Sequence, residues 1–138
     1  MAGNIQLEVV TPEGAVISEA AEIVVAPGTM GEFGVLMGHT PFLTTLKLGT
    51  IRYKDAQNQE NWIFVSGGFA EALPDRVTVL AESAERREDI DLERAKSALE
   101  RAKRRLAGEV EKDIDFIRAK AALERALHRV RLAEARLR

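Results

Sequence analysis

Ile90-Asp91-Leu92-Glu93-Arg94-Ala95-Lys96 returns, near the end of the chain, as Ile114-Asp115-Phe116-Ile117-Arg118-Ala119-Lys120. Each copy opens a stretch with helical spacing. The first apolar seam runs Leu92, Ala95, Leu99, Ala102, Leu106, and the second runs Phe116, Ala119, Leu123, Ala126, Val130, Ala133, Leu137. Both seams step by three and then four residues, the period of helices that pack side by side. Large and small residues alternate, so a large side chain on one helix can sit over an alanine on the other. Asp89 and Asp113 are the expected N-caps, with Asp91 and Asp115 adding negative charge to the first turns, where the helix dipole favours it. Gly108 breaks the pattern between the seams and marks the turn of an antiparallel α-helical hairpin. Alanine seams bury little apolar area, at about 25 cal/mol per Å², so the hairpin is expected to be weakly held.

The composition changes where this tail begins. Before Glu85 there are four basic residues against ten acidic ones, a net charge of −6, and from Glu85 onward sixteen against twelve, a net of +4. Every proline and every glycine except Gly108 precedes the change, as does every aromatic except Phe116. The expected organisation is therefore residues 1–84 as one domain and residues 85–138 as the hairpin. In the first part Ile5–Val9 alternates cleanly. Glu22–Ala26, Phe33–Met37, Thr50–Lys54, Asn61–Val65, Phe69–Leu73 and Arg76–Ala81 are short β-branched or aromatic runs separated by turn residues. Such spacing predicts an all-β sandwich or barrel of antiparallel hairpins, with Asp55-Ala56-Gln57-Asn58 and Pro74-Asp75 as its clearest connections.

Length and composition also exclude several chemistries. A chain of 138 residues, 46% hydrophobic and 30% charged, is that of an ordinary folded protein. It contains no cysteine, so disulfides, thiolate metal sites and cysteine nucleophiles are absent. The start has no basic region followed by an apolar stretch, and no run approaches the roughly 18 apolar residues that span a bilayer; neither export nor membrane insertion is expected. Gly28, Gly31, Gly34 and Gly38 are not followed by the Gly-Lys-Ser/Thr of a phosphate loop and read as tight β-turns. Ser66-Gly67-Gly68 lacks the glycine two residues before the serine that a nucleophile elbow needs. His39 and His128 are the only histidines, too few for a histidine metal site and poor material for a triad. No enzyme and no required cofactor are expected.

Three further stretches identify a relationship: Gly31-Glu32-Phe33-Gly34-Val35-Leu36-Met37-Gly38-His39-Thr40-Pro41, Ser66-Gly67-Gly68-Phe69-Ala70-Glu71 and Val77-Thr78-Val79-Leu80-Ala81-Glu82. With Val9-Val10-Thr11-Pro12-Glu13-Gly14 and Glu88-Asp89-Ile90-Asp91 in the same order, the chain closely resembles the epsilon subunit of bacterial F-type ATP synthases along essentially its whole length. The resemblance implies a non-catalytic rotor subunit, peripheral on the cytoplasmic face of the bacterial cell membrane. Its sandwich would bind the gamma subunit and rest on the c-subunit ring through a loop carrying Glu32 and His39. Its tail would either fold as a hairpin or extend toward the alpha and beta subunits of the catalytic head and impede ATP hydrolysis. The resemblance also assigns Glu85, Asp91, Arg94, Arg125 and Arg129 to a regulatory ATP site. The residue types suit that role, since arginines make forked bonds to phosphate and a carboxylate suits the adenine amino group. The bland alternatives are intrahelical ion pairs for these charges and solvated turns for Glu32 and His39. The basic run Arg101, Lys103, Arg104, Arg105 has no interleaved aromatics, which argues against nucleic acid. A freestanding ATP-sensing module and a sandwich adaptor that dimerises through its helices remain as alternatives at this stage.

Overall fold

The computed structural model describes residues 3–108 and 115–135. The chain divides into two compact units, Met1–Arg87 and Glu88–Arg138.

The first unit is a β-sandwich-like sheet of nine strands among the described residues: β1 (Ile5–Thr11), β2 (Gly14–Gly28), β3 (Gly31–Leu36), β4 (Phe42–Leu46), β5 (Gly49–Asp55), β6 (Glu60–Val65), β7 (Gly68–Leu73), β8 (Arg76–Ala81) and β9 (Ala84–Arg86). Period-two alternation turns Ile5, Leu7 and Val9 of β1, Val77, Val79 and Ala81 of β8, and Ile51 and Tyr53 of β5 into one apolar core. The 15-residue β2 organises the sheet. Its first half pairs with β1, and its second half pairs with β3 on one side and β5 on the other, with a register shift in the β2–β5 ladder between Ala21 and Ile23. Strand order β1-β8-β7-β4-β2-β5-β6-β9, with β1 also paired to β2, wraps the sheet back on itself.

Both expected hairpins form. Asp55 Oδ1 accepts from the backbone N–H groups of Gln57 at 2.9 Å and Gln59 at 3.0 Å, and Asn58 takes φ 62°, so the β5–β6 turn is built by its own side chains. Pro74-Asp75 closes β7 onto β8, where Leu73 faces Arg76. Three features depart from the sequence-based expectation. β2 begins at Gly14 rather than Glu22, because pairing with β1 overrides the weak strand propensity of Ser18-Glu19-Ala20-Ala21. β4 and β9 were not expected as strands. And β1 pairs with β8 in parallel, not as a hairpin.

β9 is only three residues long, paired with β6 through Val65–Ala84, Phe64–Glu85 and Ile63–Arg86. Side chains reinforce it. Arg86 Nη2 donates to Glu19 Oε1 at 3.0 Å, and the buried Tyr53 donates its hydroxyl to Glu19 Oε2 at 2.6 Å. The Tyr53 hydroxyl, followed by Arg86, holds the Glu19 carboxyl below the usual carboxylate range, while burial and then the Glu19 carboxylate push the Tyr53 phenol up. β9 thus extends the first unit past the composition change at residue 84. A chain ending at Arg87 should melt as a cooperative sandwich. A chain ending at Ala84 loses Arg86 and most of β9, a deficit of about 1 kcal/mol that should lower its midpoint by roughly 4–8 °C. Equal melting curves by circular dichroism would show that β9 contributes nothing.

The second unit consists of α1 (Leu92–Leu106) and α2 (Phe116–Glu134), packed on one another. Lys96 Nζ, early in α1, lies 3.9 Å from Glu134 Oε1 at the end of α2, so the helices are antiparallel. Ala95, Leu99 and Ala102 of α1 and Ala119, Ala126 and Leu132 of α2 are buried. Leu92, Leu106, Leu123, Val130 and Ala133 are half-buried. The expected seam fails at its start: Phe116 is 64% exposed and Ile117 82%. Past Lys96, α1 continues for ten residues, whereas α2 has eighteen before Glu134, so the surplus turns fall at the beginning of α2, beyond the end of α1. Gly108, at φ +75°, follows α1 in the left-handed conformation that ends a helix without strain. The expected N-cap Asp113, the residue Ile114 and the seam residue Leu137 lie outside the described residues.

Candidate functional site

The repeated motif does the same work in both places. Asp91 Oδ1 accepts from the Arg94 backbone N–H at 3.1 Å, and Asp115 Oδ1 accepts from the Arg118 backbone N–H at 3.2 Å. These aspartates cap the helices, Asp91 in place of the expected Asp89: Asp91 has φ −78° and ψ 101° and Asp115 φ −83° and ψ 101°, the extended conformation of a residue just outside the first turn. Asp89 sits instead in a short 3-10 turn, Arg87–Asp89. Capping therefore accounts for the aspartate of each Asp-x-x-Arg copy, while the arginine takes part only through its backbone N–H.

Of the five residues assigned to nucleotide by resemblance, Glu85 lies on β9 in the first unit, facing Phe64 across the β6–β9 ladder. The other four belong to the second unit. Asp91 and Arg94 are exposed at the start of α1; Arg125 and Arg129, both half-buried, lie one turn apart on α2. Counting back from Glu134 at 1.5 Å per residue, Arg129 lies about 7 Å and Arg125 about 13 Å down the α2 axis. The α1 charges make local pairs, Lys96 with Glu93 at 4.0 Å and Lys103 with Glu100 at 3.5 Å. Exposed pairs of this kind contribute a few tenths of a kcal/mol. His128, half-buried on α2, has its pKa lowered by burial and by the nearby charge of Arg131.

Glu32 and His39 do not share a loop. Glu32 is on β3, opposite Pro27, and accepts from Arg52 Nη2 at 2.8 Å. Arg52 in turn lies 5.7 Å from the centroid of Trp62, a cation over an aromatic face. His39 follows β3, its Nδ1 2.6 Å from the Thr40 carbonyl oxygen, which fixes that nitrogen as the donor. Its ring meets Phe42 edge-on at 6.4 Å, and Phe42 meets Phe33 at 5.2 Å. Strand β3, paired with β2, carries the chain four residues past Glu32, about 13 Å, before a turn in which the His39 N–H donates to the Leu36 carbonyl at 3.1 Å. The loop implied by the resemblance is largely strand β3, as the run Phe33–Met37 predicts.

A surface that sequence reasoning missed lies on the outer face of β4, β7, β8 and β1. Phe69 is 54% exposed, Leu80 56% and Leu43 69%. Phe69 is paired with Leu80 on β8 and with Thr45 on β4, and Leu80 with Val10 on β1, which makes one row across four strands that is apolar from Phe69 to Val10. The adjacent row is Leu43, Glu71, Thr78 and Glu8. The signal was present in the sequence: Phe69 and Leu80 are out of phase with the buried Ala70 and Ala72 and the buried Val77 and Val79, so they had to point away from the core.

Among the described residues, no helix is long and apolar enough to cross a membrane and no three His, Cys, Asp or Glu side chains gather as a metal site. What the fold displays are surfaces on a sandwich and a capped helical hairpin. Residues 4–87 match the family described as the β-sandwich domain of the ATP synthase delta/epsilon chain, and residues 88–137 match its long α-helix domain. The ATP synthase epsilon chain of Desulfosudis oleivorans is 64% identical over 106 residues, 77% of this chain and 80% of the relative. That of Desulfatibacillum aliphaticivorans is 65% identical, covering 77% of this chain and 75% of the relative. Among solved structures, a chain of the Euglena gracilis mitochondrial ATP synthase, described as OSCP/F1/c-ring, is 25% identical with a TM-score of 0.73, covering 90% of this chain and 78% of that one. The chain belongs to the epsilon-chain family of the F-type ATP synthase, and is a non-catalytic subunit of its central stalk.

Proposed function

We propose that this epsilon chain couples the c-subunit ring and the gamma subunit to the catalytic head, and that its C-terminal hairpin regulates ATP hydrolysis in response to ATP. The observation that carries the reading is the apolar row Phe69, Leu80 and Val10 with Leu43 beside it. Large side chains half exposed on a sheet face mark a protein contact. In a stalk subunit the partner for a sandwich face is gamma. Glu8 and Glu71, flanking that row, favour basic residues on the facing surface. The c-ring contact falls to the β3 edge, where Arg52 orients the Glu32 carboxylate and His39 lies at the other end of the strand. Peripheral attachment at the cytoplasmic face of the bacterial membrane follows from those contacts, since the ring supplies the membrane anchor.

In the hairpin, Asp91, Arg94, Arg125 and Arg129 are the proposed helical ligands for ATP, with Glu85 added by resemblance alone. Capping uses one oxygen of Asp91. The paired arginines on α2 are suited to phosphate. Seam alanines Ala95, Ala102 and Ala126 are already buried in a chain whose two helices pack on one another, which leaves a helix-dimerised adaptor less surface to use. The deciding experiment is binding to gamma: Phe69→Asp and Leu80→Asp should each weaken the complex at least tenfold while leaving the melting curve within a few degrees of wild type. Unchanged affinity in both variants, measured by calorimetry, would move the gamma contact elsewhere.

A further inference from the structure

The three-residue β9 is held by more than its ladder to β6. At its entrance the Ser83 carbonyl accepts from the Ser66 N–H at 3.1 Å, and the two serine hydroxyls are 2.7 Å apart. One residue earlier, the Glu82 N–H donates to the Gly67 carbonyl at 3.1 Å. At its exit Arg86 is bound to Glu19 of β2, which is itself held by the Tyr53 hydroxyl from β5. The side chains of Arg86 and Glu19 are 28% and 36% exposed, so this ion pair is partly shielded from water. Immediately beyond comes the 3-10 turn Arg87–Asp89, none of whose residues is buried, followed by the Asp91 cap. The first unit ends at Arg87, and the Asp91 cap of α1 belongs to the second.

We propose that Glu19, Tyr53 and Arg86 form a clasp that keeps β9 within the sandwich and confines the pivot of the helical tail to Glu88–Ile90. A three-residue edge strand has few backbone bonds to resist a pull from its end, and without the clasp any displacement of the hairpin would peel β9 from β6 and carry Glu85 with it. With the clasp, Glu85 stays with the sandwich while Asp91 and the residues after it move. The consequence rests on the mobile-tail reading above; the clasp does not, because it is tested in the isolated chain.

Amide hydrogen exchange of the full chain supplies the test. In wild type, the amides of Ala84–Arg86 should exchange at least tenfold more slowly than those of Glu88–Ile90. Arg86→Met and Glu19→Gln should each raise exchange in β9 at least fivefold and leave β1 and β8 unchanged. The double variant should match the single ones, as expected for two halves of one pair. Tyr53→Phe, which keeps the ring in the core and removes only the hydroxyl, should produce a smaller rise in β9. That variant guards against general destabilisation, which would raise exchange in β1 and β8 as well. The clasp is overturned if β9 exchanges together with Glu88–Ile90 in wild type, or if none of the variants changes β9. Failure of gamma to bind, by contrast, would leave this result untouched.

Discussion

Gly68→Ala should destabilise the sandwich by at least about 3 kcal/mol, and Gly14→Ala by only about 1. The two glycines have nearly the same backbone conformation, φ +132° and φ +128°, in a region where L side chains are strained. Their surroundings differ. A Cβ at Gly14 would meet nothing within 4 Å, whereas one at Gly68 would run into the Leu80 carbonyl oxygen and stand 2.9 Å from Ala81 Cα. These are backbone atoms of the neighbouring strand, which cannot yield as a side-chain tip would. The difference between the two variants therefore isolates the steric part, and at about 4–8 °C per kcal/mol the Gly68 variant should melt roughly 12–24 °C below wild type. The same close approach sets Phe69 beside Leu80. Gly68→Ala should accordingly weaken gamma binding beyond what its unfolded fraction explains, because the β7–β8 ladder must open to admit the methyl group. Similar midpoints for the two alanine variants would mean that the strands part at little cost.

That glycine shows how much of the fold was legible. The alternation of β1 and β8, the hairpin at Asp55–Asn58 and the helical seams follow from residue type and spacing, since each is set by neighbours in sequence. The failures share a physical cause. Strand β9, Ala84–Arg86, has no strand-forming residue and exists through pairing with β6 and the Glu19 clasp, both far away along the chain. The first eight residues of β2 are likewise held by β1. Phe116 was placed in the seam by period alone, but whether a seam position is covered depends on the register of the two helices, which periodicity does not contain. Glu32 and His39 were placed on one loop by the resemblance, against the run Phe33–Met37 that reads as a strand between them, and the strand is what forms. Gly34 lies within β3, opposite Val25.

The repeated motif leads to the sharpest test of regulation. If ATP is held by Asp91, Arg94, Arg125 and Arg129, it must favour the closed hairpin, because separating the helices separates the ligands. At about 100 times its dissociation constant, ATP would then add roughly 2.7 kcal/mol to the closed state. Arg125→Ala with Arg129→Ala should abolish that gain, and alanine's high helix propensity prevents the loss from being one of helix formation. The harder question is Asp91, whose carboxylate already caps α1. Asparagine caps nearly as well as aspartate but carries no charge, so Asp91→Asn separates the two roles. The second copy supplies matched controls, because Asp115 caps α2 with the same geometry and has no assigned ligand role. Asp91→Asn and Arg94→Ala should each reduce the ATP-dependent rise in melting temperature, while Asp115→Asn and Arg118→Ala should leave it intact. All four are expected to change the melting temperature without nucleotide by only a few degrees. Equal reductions from the two copies, or no thermal shift for the wild-type chain at millimolar ATP, would leave Ile-Asp-x-x-Arg-Ala as a helix-starting device that the chain uses twice.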